Sequence, residues 1–491
     1  MGERSNPLSE TVIPPLAAEP TSMAAMPPLV VDLDGTLVRT DTLWEGVLHV
    51  ASHRPLALLR ILPRLLRGRA AFKAAVAQHA VPALEGLPLD ERVLQLIEER
   101  RAGGQQIILV TGANIAVART VGARIEADAV HGSETINLTG HRKLQHIRSF
   151  ASTFDYVGNA AADLPLWASA RQALAVNSGA MTRWRARRVR PDLVELAPPH
   201  FRWRDMVRAL RPHQWIKNVL IVLPVVAAHT RWTLGLATTL LLGFASFSLA
   251  ASAVYVVNDL CDAADDRQHH QKRHRPFASG RLSVGDGVGM AIALFGIAAL
   301  IASRLPWGFG ALLGVYVVFS TSYSLVLKRK LALDVIMLAT LYTLRVVAGA
   351  ALTRVPLSRW FLAFAVFFFL ALAVAKRVIE LRRLESATAR APGRRYNRGD
   401  LPVLYSLGAG ATMASALVYC LYITSADVTL LYKRPDALWF GLLLLLYWQS
   451  RLWLMAARGE VNEDPVVFAL RDPTSRLVLG AFVLVLAAAL W

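Results

Sequence analysis

From about residue 215 onward, apolar stretches long enough to cross a bilayer recur, and this constrains the fold more than any other feature. They lie near 215–229, 234–257, 285–303, 308–326, 333–352, 359–375, 403–424, 436–455 and 475–490, which makes about nine spans. The first is short, and the fifth contains Asp334 and Arg345. The expected architecture for residues 202–491 is an all-α polytopic membrane bundle.

Hydrophobic residues make up 54% of the 491, yet the formal net charge is +19. That charge must therefore sit outside the spans. A basic excess suits nucleic acid, anionic lipid or phosphorylated substrates. Topology alone accounts for about half of it, because Lys and Arg gather on the cytoplasmic side of membrane proteins. No nucleic-acid partner is expected. The two cysteines, Cys261 and Cys420, lie in or beside apolar segments and suggest neither a disulfide framework nor a zinc site.

Loop cations set the orientation. One side carries Arg183 to Arg190, the loop with Arg267, Lys272, Arg273, Arg275 and Arg281, the turn Lys328-Arg329-Lys330, and the stretch from Lys376 to Arg398. The other carries scattered Arg231, Arg304, Arg354, Arg359, Lys433 and Arg434. The two sets alternate across nine spans. The expectation is a multi-pass plasma-membrane protein with its acidic motifs on the cytoplasmic face and Trp491 outside.

The N-terminal part has another character. Residues 1–28 are rich in Pro and Ala and read as a disordered tail, not a secretory signal. Residues 29–180 read as soluble α/β. Short apolar runs, Leu29 to Val31, Ile107 to Val110 and Phe154 to Val157, alternate with helical stretches such as Leu87 to Ala102. This predicts a parallel sheet covered by helices. Residues 181–201 are expected to form a basic linker.

The second span ends in Asn258-Asp259-Leu260-Cys261-Asp262-Ala263-Ala264-Asp265-Asp266. Asp259, Asp262 and Asp266 fall on one helical face. Such a face at a membrane boundary repels itself unless cations neutralise it. Magnesium prefers a few carboxylates plus phosphate oxygens, and Lys272 and Arg275 follow closely. The motif Asn-Asp-x-x-Asp-x-x-x-Asp, with Arg275 to Gly280 reading Arg-Pro-x-Ala-Ser-Gly, resembles the first signature of UbiA-type membrane transferases. The resemblance covers residues 202–491. It implies a nine-helix bundle with a lipid-open cavity and magnesium-assisted departure of diphosphate from an electrophilic carbon.

Most members of that family prenylate aromatic rings and carry a second Asp-rich motif after the sixth span. Here the corresponding loop is basic, with Lys376, Arg377, Arg394 and Arg395. That departure resembles the branch of decaprenyl-phosphate phosphoribosyltransferases, as do Arg211 to Asn218, Tyr323-Ser324 before Lys328, Asp334 with Arg345, and Glu463 to Val466 with Asp472. The resemblance implies a polyprenyl phosphate acceptor and 5-phosphoribosyl 1-diphosphate as donor. Lys217, Lys328, Arg329, Lys376 and Arg377 are placed to hold anionic heads at the interface. Tyr323 and Asp334 join the catalytic set, since an acid beside a span is costly without a task. Asn258, Lys272, Arg275 and Arg345 join the substrate-binding set. The runner-up is a prenyltransferase acting on an aromatic or other lipid acceptor. A transporter fits less well, because the carboxylates cluster on one face instead of lining a path.

In the α/β part, Val30-Val31-Asp32-Leu33-Asp34-Gly35-Thr36 is a strand running into Asp-x-Asp-Gly-Thr. A carboxylate there can attack phosphorus, and one two residues later can protonate the leaving oxygen. With Thr111-Gly112, Lys143 and Gly158-Asn159 to Asp163 in order, it resembles the haloacid dehalogenase (HAD) superfamily. The resemblance makes Asp32 the nucleophile, Asp34 the acid/base, Thr111 and Lys143 the phosphoryl holders, and Asp163 with Asn159 the completion of the magnesium site. Asn159 stands where the family often has Asp, and the resemblance implies that residues 41–103 form a small helical cap that sets the substrate. The combined expectation is a bifunctional enzyme. The membrane part would make polyprenyl phosphoribose 5-phosphate and the HAD part would remove the 5-phosphate, feeding arabinose donors for cell-envelope glycans. Prenyl length stays undetermined, and a homo-oligomer stays open.

Overall fold

The computed structural model describes residues 26–84, 86–134, 136–196, 203–270, 272–384, 394–461 and 464–491. Most of the tail expected at 1–28, part of the linker expected at 181–201, and Glu463 lie outside the described residues. The chain forms two compact units, one of Met1–Leu37 with Asp90–Pro199 and the other of Val38–Leu89 with His200–Trp491.

The first unit is built on six parallel strands: β1 (Leu29–Val31), β2 (Ile107–Asn114), β3 (Ala129–Ser133), β4 (Asp155–Gly158), β5 (Ala173–Ala175) and β6 (Val194–Glu195). Their order is β3-β2-β1-β4-β5-β6. Parallel neighbours need crossover connections, and helices supply them. β1 is fully buried at the centre, with Val30 in register with Ile108 on one side and Tyr156 on the other. Helix Glu91–Ala102 is N-capped by Asp90 and buries Val93, Leu96 and Ile97. It was expected within the cap, but that apolar stripe packs it with the α/β unit. The basic stretch beginning at 181 does not serve only as a linker. It forms most of helix Ala180–Val189 and then the edge strand β6, where Arg187 pairs with Glu195 at 2.9 Å.

Among the described residues the second unit has eight helices long and apolar enough to cross a membrane: Leu234–Cys261, Val284–Ala302, Trp307–Leu325, Leu333–Thr353, Arg359–Arg382, Arg398–Ile423, Pro435–Arg458 and Pro473–Leu490. The stretch expected as a ninth span, 215–229, is not one α-helix. It runs as a tight 3-10 coil over Pro212–Val222 and a short α-helix over Leu223–Ala227. Pro224 lacks the N–H that a continuous α-helix would use. The segment also presses against helix Leu333–Thr353, where a Cβ on Gly349 would stand 2.1 Å from the Ile221 carbonyl oxygen. At about 2.0 Å rise per 3-10 residue, it is nonetheless about 30 Å long.

The remaining part of the second unit is the insertion between β1 and helix Glu91–Ala102. It contains helices Thr42–His53, Pro55–Ile61 and Arg69–Leu84, and a 3-10 turn at Leu62–Arg67. Val50, Ile61, Phe72, Ala75, Val76 and Ala80 form its small core. The chain enters and leaves through an antiparallel bridge between Val38 and Leu89. Placed by sequence as a cap on the α/β part, this insertion clusters with the membrane helices instead.

Candidate active sites

In the α/β unit, Asp32 follows β1 directly and is buried. Its backbone N–H donates to the Val157 carbonyl at 3.0 Å, which ties it to β4. Lys143 Nζ donates to Asp32 Oδ1 at 2.5 Å and to the Tyr156 hydroxyl at 3.0 Å. Tyr156 in turn donates to Asp163 Oδ1 at 2.7 Å. Asp163 Oδ2 accepts from the backbone N–H groups of Asn159 and Ala160 at 3.0 and 2.9 Å. Burial pushes the Asp32 carboxyl up despite Lys143, and Asp163 adds to the rise. Burial likewise raises the Tyr156 phenol well above its ordinary value. Thr111 is buried, its hydroxyl accepting from the Ala113 N–H at 3.0 Å.

Asp34 sits half-buried in the turn after β1. Gly35 has φ +73°, and a Cβ there would stand 2.0 Å from Asn159 Nδ2, so only glycine lets Asn159 approach this turn. The sequence thus brings Asp32, Lys143, Asn159 and Asp163 together. Tyr156 was missed. It faces inward from β4 between Asp155 and Val157, and strand alternation was the available signal.

In the membrane unit, Asp259, Asp262 and Asp266, three of the four carboxylates of the Asp-rich segment, each face a cation. Arg275 Nη1 reaches Asp266 Oδ2 at 2.6 Å and Asp259 Oδ1 at 3.2 Å. Arg211 also bonds Asp259. Lys328 Nζ donates to both oxygens of Asp262, at 3.1 and 2.9 Å. Burial raises the Asp266 carboxyl although Arg275 and Lys272 oppose it, and burial lowers the Lys272 ammonium. Asn258, half-buried, lends its carbonyl to the Asp262 N–H at 2.8 Å. Arg329 stands apart from this trio, near the pair His53 and Asp265, whose mutual hydrogen bond raises the imidazole and lowers the carboxyl.

Among the described residues no three acidic, His or Cys side chains gather round one point to hold a metal. Asp259 and Asp266 do converge on one positive group, the Arg275 guanidinium. Two hard oxygen donors around a cationic seat suit magnesium, which keeps phosphate and water oxygens in its remaining positions.

A second cluster centres on Asp334. Arg377 Nη2 lies 2.8 Å from Asp334 Oδ2, and the Tyr323 hydroxyl donates to Oδ1 at 2.9 Å. Arg394 donates to Tyr323 at 3.3 Å and to Glu380 at 2.6 Å. The structure does not pair Asp334 with Arg345. One helix carries both, but Arg345 turns to Asn218 at 2.9 Å and to the Tyr316 hydroxyl at 3.1 Å.

In a third cluster, Lys217 and Lys376 both donate to Asp464 Oδ2, at 2.9 and 2.8 Å. Against the upward pull of burial, the two ammonium groups hold Asp464 well below the usual carboxylate range. Arg211, Glu380, Arg394 and Asp464 had no individual role in the sequence reading. A buried charge needs a partner, but the sequence does not say which.

Residues 218–471 match the UbiA prenyltransferase family, and residues 29–166 match haloacid dehalogenase-like hydrolase. A Sinorhizobium fredii protein, uncharacterized protein y4nM, is 36% identical over 93% of this chain and 90% of its own length. The decaprenyl-phosphate phosphoribosyltransferase of Mycobacterium tuberculosis strain H37Rv is 30% identical over 60% of this chain and 96% of its own. A UbiA homolog from Archaeoglobus fulgidus, solved with GPP and Mg2+, superposes with TM-score 0.45 and 15% identity, covering 58% of this chain and 99% of its own.

Proposed function

Because this chain belongs to the UbiA prenyltransferase family and carries a HAD-like domain, we propose that its membrane unit moves a 5-phosphoribosyl group from phosphoribosyl diphosphate to a polyprenyl phosphate. The HAD-like domain then removes the 5-phosphate of the product, with both sites on the cytoplasmic side. The observation that carries the transfer reading is the meeting of Lys217 and Lys376 on one carboxylate oxygen. A buried ammonium group, that of Lys217, and a part-buried one, that of Lys376, aimed at a single anionic oxygen form a seat for a phosphate, and Asp464 fills it with a carboxylate. An acidic second motif would instead suit a metal-bound diphosphate.

In the transfer step, an acceptor phosphate oxygen forms a bond to the ribosyl C1. The bond from C1 to diphosphate breaks, and the diphosphate leaves with the electron pair. The acceptor oxygen is already ionised, so no strong base is required. Lys217 and Lys376 orient it, while Arg377 and Arg394 supply positive charge around Asp334. Asp334, through Tyr323, can hold a ribose hydroxyl. Magnesium held by Asp259, Asp262 and Asp266 would neutralise charge on the departing diphosphate. In the HAD-like domain, Asp32 attacks phosphorus, Asp34 protonates the leaving ribose oxygen, and water hydrolyses the aspartyl phosphate. Lys143 and Thr111 hold the phosphoryl oxygens, and Asp163 with Asn159 would complete a magnesium site. One chain carrying both activities keeps a lipid-bound intermediate at high local concentration.

The test uses the full chain in detergent with magnesium, labelled phosphoribosyl diphosphate and polyprenyl phosphate. Label entering the lipid phase, then loss of one phosphate, is the expected result. No ribosyl transfer, with prenylation of an aromatic acceptor from a prenyl diphosphate, would overturn it.

A further inference from the structure

The insertion Val38–Leu89 rests on the Asp-rich segment of its own unit. Helix Thr42–His53 starts at Asp41, whose carboxylate accepts from the Leu43 and Trp44 N–H groups at 2.9 and 3.1 Å. Glu45, on its first turn, is 5% exposed. A buried carboxylate demands a cation, and Arg267 Nη2 donates to Glu45 Oε1 at 2.5 Å. The same guanidinium donates through Nε to the Ala278 carbonyl at 3.0 Å. Arg267 directly follows Asp266, and Ala278 lies in the turn that begins with Arg275. One side chain therefore ties the insertion to both ends of the segment that carries Asp266 and Arg275.

Four further contacts point the same way. Ser52 Oγ lies 3.1 Å from the Cys261 carbonyl, one of the last carbonyls of helix Leu234–Cys261, which have no partner within the helix. His53 Nε2 lies 3.4 Å from Asp265 Oδ2. Gly280 ends the basic turn at φ +67°, and a Cβ there would stand 2.9 Å from Arg39 Cβ and 2.9 Å from Pro88 Cγ, at the neck of the insertion. Leu48 packs into the cluster of Leu260, Ala263 and Phe277.

We propose that the insertion helix is a working part of the transferase site, and that Glu45 is a positioning residue that sets Asp266 against Arg275 through Arg267. The inference rests on the reading that Asp259, Asp262 and Asp266 hold a magnesium-bound diphosphate. It assigns to a segment lying inside the hydrolase sequence a task in the other reaction.

The experiment titrates inorganic diphosphate with magnesium into the detergent-purified full chain by calorimetry. Removing a group that directly holds a metal ligand costs about 10- to 100-fold in affinity; Glu45 acts one link further out, through Arg267, so Glu45→Gln is expected to weaken binding by about tenfold, the low end of that range. The swap Glu45→Arg with Arg267→Glu remakes the ion pair with reversed sign but loses the bond to the Ala278 carbonyl, so it is expected to recover part of the affinity, binding more tightly than Glu45→Gln and more weakly than wild type. Should Glu45→Gln fail to fold, Arg267→Lys keeps the charge but loses the second donor to Ala278, and a smaller weakening is expected. Unchanged affinity in the folded variants, while Asp259→Asn binds weakly, overturns the proposal. Wild-type protein that binds no magnesium diphosphate overturns it too. Wild type that binds it but transfers no phosphoribose refutes the proposed reaction and leaves this inference standing.

Discussion

Arg377 Nη2 lies 2.8 Å from Asp334 Oδ2, and neither side chain is exposed. The pair joins the helices Leu333–Thr353 and Arg359–Arg382, and Tyr323 reaches it from a third. Taking two charges out of water is costly, so such a pair is a weak source of net stability. Its removal on one side is another matter. Asp334→Asn leaves Arg377 with Glu380 alone, and loss of about 3–5 kcal/mol is expected. Thermal unfolding in detergent checks the stability. The variant should also lose donor affinity and transfer rate, and unchanged values would remove Asp334 from the site.

Asp464 gives a different pattern. If its carboxylate sits where an acceptor phosphate oxygen binds, Lys217→Met and Lys376→Met should each raise KM for polyprenyl phosphate by about tenfold or more, as loss of a charged hydrogen bond implies. Asp464→Asn should lower that KM, because the internal competitor loses its charge. A rise in all three would mean that Asp464 positions the lysines and does not compete.

The same carboxylate fixes a pH response. Its folded pKa is held below the ordinary value near 3.8 by Lys376 and Lys217. A depressed carboxylate contributes stability that is present above its unfolded pKa and is lost as pH falls through the folded one. The contribution should therefore be constant across neutral and mildly acidic pH and fade only below about pH 4. Comparing unfolding midpoints of wild type and Asp464→Asn from pH 7 downward tests this. A gap between the two that closed near pH 6 would contradict it.

Asp32→Asn removes the nucleophile of the HAD-like domain while keeping its shape. Phosphatase activity is expected to vanish and phosphoribosyl transfer to persist, so the lipid product would retain its 5-phosphate. Phosphate release and lipid chromatography read the two outcomes separately. Loss of both activities, or of neither, would count against two sites in sequence.

Asn159 offers an oxygen without charge beside Asp163. Carboxylate count tunes cation affinity. Asn159→Asp should therefore lower the magnesium concentration for half-maximal phosphatase activity by about tenfold, with transfer unaffected. An unchanged magnesium requirement would place Asn159 outside the metal site.

The legible parts of this molecule were local ones. Asp32 to Thr36 is a contiguous strand end and turn, and Asn258 to Asp266 runs without interruption from the end of helix Leu234–Cys261 through the turn at Asp262 into the short helix Ala263–Gln268, so residue order carries the geometry. The spans were legible because bilayer-length apolar runs are a strong signal. The first was misjudged as one helix because apolar content says nothing of Pro224 or of the close approach at Gly349. β5 and β6 passed unnoticed: Ala-Leu-Ala and Val-Glu have little strand character of their own and owe their conformation to pairing. Partners escaped entirely. Glu45 looks like an ordinary surface acid on a helix until Arg267 is beside it, and Lys217 reads as an interfacial cation until Asp464 arrives from the far end of the chain.

The docking of Ser52 on the Cys261 carbonyl has a consequence for biosynthesis. The two residues are 209 apart in the chain. At a translation rate of about 5–20 residues per second, roughly 10–40 s pass between their emergence from the ribosome. Throughout that interval the face bearing Leu48 and Glu45 has no partner, and an uncovered apolar patch invites aggregation. Helix Thr42–His53 is made early and docks late, after helix Leu234–Cys261 and the basic turn that follows it have been made. A chain truncated before residue 234 would leave that face permanently uncovered, so the hydrolase sequence expressed alone should prove poorly soluble, and deleting the insertion should relieve it.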